Sequence, residues 1–236
     1  MVLDFEISLQ KFSVAQYGII SITLAFATAS YIFSAVTENS LYALTRFFDV
    51  GAEHSIPTYV SVMNLFLASA LVFVVYLYER SRGNPGTRNW LILSLLFLYL
   101  SVDEAIRIHE SFARLHDILV EKDLMSPILE THQWLPFGVL FLIGCAIILV
   151  PLFKQLPRDT LRRFLLAGII FVSGALGFEY LGAVMLETGF VESRLEPAYL
   201  ARRLFEEGLE MYGVVVFNCA VYLEIQRRDI SVLLRV

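Results

Sequence analysis

Long apolar runs separated by short polar connections set the pattern of the chain. The runs cover about 14–36, 58–78, 90–108, 134–153, 165–185 and 204–223. Each is near the roughly 20 residues that carry a helix across a hydrocarbon core of about 30 Å. They do not alternate polar with apolar residues, as strands of a membrane barrel would. Lipid cannot satisfy a bare backbone, so each run reads as a helix. The pattern predicts an all-α, polytopic membrane protein with a six-helix transmembrane bundle as a single domain over residues 1–236. Past the third run, Phe112, Leu115 and Leu119 recur at helical spacing. This predicts an amphipathic extension over about 109–125, continuing the span or lying at the interface and ended by Pro127.

Charge gives the orientation. Lys11, then Arg80, Arg82 and Arg88, then Lys154, Arg158, Arg162 and Arg163, then Arg227, Arg228 and Arg235 fall on one side of a six-span arrangement. By the positive-inside rule that side, with both termini, is cytoplasmic. The first residues, Met1 to Glu6, have no basic leader, so the first run is expected to remain as a span. The expected location is a bacterial-type inner (plasma) membrane. The other side receives segments 37–57, 109–133 and 186–203, with His54, His109, His116 and His132. His116 reads as a solvated residue of the extension. His54 and His132 read as loop or interface residues, with completing a site as the lesser alternative for each.

The pattern breaks at Ser101-Val-Asp-Glu-Ala-Ile-Arg-Ile-His-Glu110, where Asp103, Glu104, Arg107, His109 and Glu110 crowd the end of the third run. Ionisable residues in a membrane segment are costly and point to a site. Helical rise puts Asp103, Glu179 and Glu210 each roughly 20 Å from the basic side, with Glu206 and Glu207 about a turn further. Asn64 on the second run reaches a similar depth. Three spans thus bring carboxylates to one level, and an interior cluster is cheaper than acids facing lipid. At helical spacing Asp103, Arg107 and Glu110 share one face, Arg203, Glu207 and Glu210 share another, and Arg202, Glu206 and Glu210 nearly do, so these helices carry their own arginines. Tyr180 lies beside Glu179 in a stretch rich in glycine and alanine that permits close helix approach.

Composition agrees with a membrane setting: 57% of residues are hydrophobic and only 17% charged, and the net charge is −5. No basic face or recognition motif points to nucleic acid. Cys145 and Cys219 fall inside apolar runs, which excludes a disulfide framework. No Ser/His/Asp set and no glycine-rich phosphate loop is present.

The cluster supports three readings. In one, it is an ion-pair network that holds the helices together in a non-catalytic assembly subunit. In another, it binds a metal or small cation, with iron, zinc or manganese as candidates. The ligands would then be Glu104, His109, Glu110, Glu179, Glu207 and Glu210. Asp103, Arg107, Arg203, Glu206, Asn64 and Tyr180 would support them. The third, proton or cation passage, has the least support, because only Glu224 continues the acids toward the basic side. The sequence leaves the reaction, and whether there is one, open. Beyond the bilayer, the expected partners are a membrane protein or a second copy.

The segment Ser101-x-Asp103-Glu104-x4-His109-Glu110 recurs in a recognisable company. With Phe178-Glu179-x-x-Gly182 and Glu206-Glu207-x-x-Glu210-Met211-x-Gly213, it resembles a group of uncharacterised small bacterial multipass inner-membrane proteins. The resemblance covers roughly the last 140 residues in outline. It implies a fold and a candidate site at these residues, and no reaction.

Overall fold

The computed structural model describes residues 2–3, 8–37, 42–125, 131–230 and 234–235. In chain order the helices are α1 (Leu9–Thr37), α2 (Tyr42–Phe48), α3 (Ile56–Ser81), α4 (Thr87–Ile106), α5 (Phe112–Glu121), α6 (Leu135–Phe153), α7 (Arg158–Val172), α8 (Glu179–Glu187) and α9 (Pro197–Arg227). A 3-10 turn, His109–Ser111, precedes α5, and a π-helical stretch, Ser173–Phe178, joins α7 to α8. Among the described residues, 6 helices are long and apolar enough to cross a membrane: α1, α3, α4, α6, the α7–α8 unit and α9. Val2–Leu3 pair antiparallel with Leu234–Arg235, so both ends of the chain meet at one end of the bundle.

The axis of the bundle is α9, which is buried over most of its apolar length while the other spans bury well under half of theirs. Its Val214, Phe217, Ala220, Val221 and Ile225 form the main core with Leu65, Ala68, Val72 and Val75 of α3, Trp90 and Leu93 of α4, and Phe164 and Ala167 of α7. Exposed apolar side chains such as Leu140, Ile147 and Ile169 cover the outside, as expected of a lipid-facing wall. Close approach of α7 to α9 depends on Gly213, where a Cβ would stand 2.7 Å from the Phe171 backbone nitrogen. Buried polar contacts add directionality between spans. Ser69 Oγ donates to the Ser94 carbonyl at 2.8 Å. Asn64 Nδ2 donates to the Met211 carbonyl at 3.0 Å, and Asn218 Nδ2 to Asn64 Oδ1 at 2.8 Å.

The end that carries the 82–86 and 154–157 connections is closed by ion pairs. Glu224 on α9 is buried between Thr160, Arg227 and Arg228, and Arg228 also reaches Glu79 of α3 at 3.0 Å. Glu224 is thus absorbed into a clamp of the bundle. The other end, which carries the 49–55, 107–134 and 188–196 connections, is called the cavity end below.

Several helix ends differ from the hydropathy reading. The last span runs Pro197–Arg227 and the fifth begins at Arg158, because charged turns can continue a helix into the interface with their stems along apolar surface. Conversely, α4 stops at Ile106. Arg107 adopts φ 52 and ψ 52, its N–H donating to the Asp103 carbonyl at 2.6 Å. The extension is therefore no continuation of the span: it restarts as the 3-10 turn and then α5. Asp103, Arg107 and Glu110 accordingly do not lie on one helical face. Pro127 lies outside the described residues. His116, expected in solvent, is instead buried at 2% exposure, while the apolar Phe112, Leu115 and Ile118 of α5 stay exposed.

Candidate functional site

Two breaks in regular helix aim the site residues. The left-handed turn at Arg107 reverses the chain directly after Glu104 and swings His109 back over α4. His109 N–H and Nδ1 then meet Asp103 Oδ1 and Oδ2 at 2.8 and 2.7 Å. Such backbone is unfavourable for a non-glycine residue, and here it is held from both sides. The Arg107 guanidinium donates to the Gly51 carbonyl at 3.0 Å and pairs with Glu110 at 3.1 Å. The second break is the π-helical stretch, after which Glu179 faces α9.

Together these bring most of the expected residues around one cavity of about 160 Å³ at the cavity end. Glu104, Arg107, His109, Glu110, Glu179, Arg203, Glu206, Glu207 and Glu210 all line it. Asp103 stands behind His109. Asn64 and Tyr180 are not in the wall. Asn64 is spent on the α3–α9 contact, and Tyr180 points outward at 56% exposure. His54 sits exposed in a left-handed turn at φ 61, away from the cavity.

The structure also brings in residues outside the expected ligand and supporting sets. Arg202 is the node: its guanidinium meets Glu206 at 2.8 Å, Glu179 at 3.4 Å and the Phe178 carbonyl at 2.7 Å, and it lies over the Tyr199 ring at 4.6 Å. Its spacing of four from Glu206 was visible in the sequence. Its choice over Arg203 was not. Gly182 makes room, since a Cβ there would come within 2.7 Å of the guanidinium. His132 is buried, with Nε2 3.4 Å from Glu179. Trp134 packs on the His109 ring at 4.6 Å, and Arg194 and Tyr199 complete the wall.

The cluster therefore has two halves. In one, Arg202, Glu179, Glu206 and His132 form a closed network. In the other, Glu104, Glu207 and Glu210 front the cavity. Ser61 on α3 lies beside Glu104. No ion pair to any of the three is formed among the described residues. The two histidines diverge. Burial disfavours charge on His109, but the bond and charge of Asp103 outweigh it, so its pKa lies above the ordinary value. Burial dominates at His132, whose pKa is lowered although Glu179 pulls the other way. Among the described residues, no three of His, Cys, Asp or Glu converge as a ligand set for a metal ion.

Fold and site together define a multipass helical membrane protein with a charged cavity at one end of the bundle. The chain belongs to the family described as a domain of unknown function (DUF8692), which it matches over residues 19–225, a range containing every residue of the cavity. No curated protein and no solved structure matches it.

Proposed function

We propose that the cavity binds a small cation and opens toward the outer face of a bacterial-type inner membrane, with both termini cytoplasmic. The sorting of arginine and lysine to the opposite end supports the orientation. One observation carries the binding reading: Glu104, Glu207 and Glu210 share a cavity wall with no cationic side chain paired to them among the described residues. Around the whole cavity Glu104, Glu110, Glu179, Glu206, Glu207 and Glu210 face Arg107, Arg194, Arg202 and Arg203 and the histidines His109 and His132, of which His109 is already held by Asp103. That acidic excess calls for protons or an added cation.

Iron, zinc or manganese would need carboxylates and imidazoles gathered at about 2.0–2.3 Å. The dispersed acids suit an ammonium better, which offers three donors at ordinary hydrogen-bond distance. The Arg202 network favours a second role beside it, that of an internal clamp.

Titration calorimetry of the detergent-purified protein with ethanolamine, Mn2+ and Zn2+, alongside elemental analysis, tests this. Ethanolamine binding that Glu207→Gln and Glu210→Gln weaken at least tenfold in folded protein supports the ammonium reading. Near-stoichiometric metal lost in the same variants replaces it with the metal reading. Absence of any cation binding, with both variants losing stability or a copurifying partner, leaves only the clamp and the assembly-subunit reading.

A further inference from the structure

Two arginines one residue apart on α9 behave differently. Arg202 closes on Glu206, four residues on, at 2.8 Å. Arg203 has the same spacing to Glu207, an arrangement that normally pairs on a helix, yet no ion pair forms between them. Arg203 is held back. It lies toward the Tyr199 ring, 5.6 Å from its centroid, and over Gly51, where any Cβ would overlap the guanidinium. Asp49 stands near it but forms no ion pair with it; Asp49 Oδ1 accepts from the Tyr31 hydroxyl at 2.6 Å and from Gly51 N–H at 3.0 Å. Arg194 at the same cavity also forms no ion pair among the described residues. Arg202, itself in the wall and 3% exposed at its side chain, has an Nε with no hydrogen-bond partner among the described residues.

The cavity thus keeps its unpaired charges apart. Arg194 is exposed and Arg203 half-buried, and both precede the acids in the chain, Arg203 near the start of α9. Glu207 lies about 6 Å deeper along α9 and Glu210 about 10 Å deeper. Left to themselves, opposite charges in a poorly solvated site close on one another. A space held open between them fits a ligand that carries both signs.

From this, and resting on the cation-binding reading above, we infer that the cavity recognises a zwitterion, its anionic group on Arg203 and Arg194 and its ammonium on Glu207, Glu210 and Glu104. A volume near 160 Å³ is close to that of engineered cavities that hold one benzene ring. It suits a short spacer between phosphodiester or carboxylate and amine. A phosphoethanolamine lipid headgroup and a free amino acid share that chemistry.

The test is calorimetric titration of the full detergent-purified chain with ethanolamine, glycerophosphoethanolamine, glycerophosphoglycerol and β-alanine. At least one zwitterion should bind tenfold or more tighter than ethanolamine. Arg203→Gln should bring the two within threefold. Glu207→Gln should weaken both. Gly51→Ala, which displaces the Arg203 guanidinium without removing it, should mimic Arg203→Gln and carries the test if that variant misfolds. An advantage shared by β-alanine assigns a soluble zwitterion. An advantage confined to glycerophosphoethanolamine, with ethanolamine lipid retained over glycerol lipid in nanodiscs, assigns a headgroup. Equal binding of ethanolamine and both zwitterions overturns the inference and leaves the cation reading standing, as does indifference to both Arg203→Gln and Gly51→Ala. Tightest binding of the anion alone overturns the inference and the cation reading, as does no binding by any probe.

Discussion

Replacing Arg202 with methionine keeps the length of the side chain and removes its charge. The guanidinium makes two short charge-assisted hydrogen bonds, to Glu206 at 2.8 Å and to the Phe178 carbonyl at 2.7 Å, and a longer contact to Glu179 at 3.4 Å. A hydrogen bond to a charged group contributes about 1.5–3 kcal/mol, so two of them set a scale of about 3–6 kcal/mol. Breaking a buried pair by removing one partner costs a similar ~3–5 kcal/mol, because the other charge stays behind. Glu206 is 7% exposed and would be that stranded charge. Arg202→Met should therefore destabilise the protein by about 3–5 kcal/mol. Arg202→Met/Glu206→Gln, which removes both charges, should recover about 1–3 kcal/mol of the loss. Reversible unfolding of purified protein in mixed micelles, read as a double-mutant cycle, measures both. A cost below about 1 kcal/mol for Arg202→Met would refute the clamp, since that is the scale of an ordinary interhelical hydrogen bond in a membrane. So would a double variant that is no better than the single.

Asn64→Val should cost about 1 kcal/mol in the same unfolding assay, as it removes the bonds to Met211 and Asn218 between α3 and α9. Gly213→Leu should cost about 1–3 kcal/mol or prevent folding, because its side chain would enter the Phe171 backbone; thermal melting after size exclusion reads it. Stability should also carry a pH signature from His109. Its pKa is raised on folding: burial opposes the charge, but Asp103 first, then Glu110 and Glu179, favour it more strongly. The stabilisation is therefore full below the unfolded value of about 6.5 and is lost as pH rises through the higher folded value. In melting curves from pH 5 to 9, His109→Gln should remove that alkaline decline; an unchanged profile would show that another group causes it.

The spans were legible because a bilayer imposes one length and one polarity on every crossing helix. Depth was legible too: counting rise along α4 and α9 put Glu104 and Glu210 at one level, and both face the cavity. What escaped the sequence was direction around the helix axis. Asn64 and Tyr180 stand at the right depth, yet Asn64 turns into the α3–α9 contact and Tyr180 turns outward. Arg202 and Arg203 are neighbours with equal claims on an acid four residues later. Gly182 leaves room for the Arg202 guanidinium and Gly51 for that of Arg203, and both come from other parts of the chain. The break at Arg107 was equally hidden, since it depends on a hydrogen bond to the Gly51 carbonyl. His132 reached the site from a connection with no periodicity to read.

The π-helical stretch in the fifth span acts as a phase shifter. Phe164 and Ala167 of α7 are buried, and continuing at ordinary helical spacing through Gly174 the inward position would fall on Phe178. One surplus residue in the wide turn moves it to Glu179, and Gly182 and Ala183 follow on the inward side. The carboxylate thus owes its place to a frame offset as well as to its identity. Deleting a single residue between Ser173 and Phe178 would leave every charged side chain in the gene and still rotate Glu179 by about 100° toward lipid. Among members of the family, an alignment gap in this stretch would therefore signal loss of the Arg202 clamp even where the glutamate itself is retained.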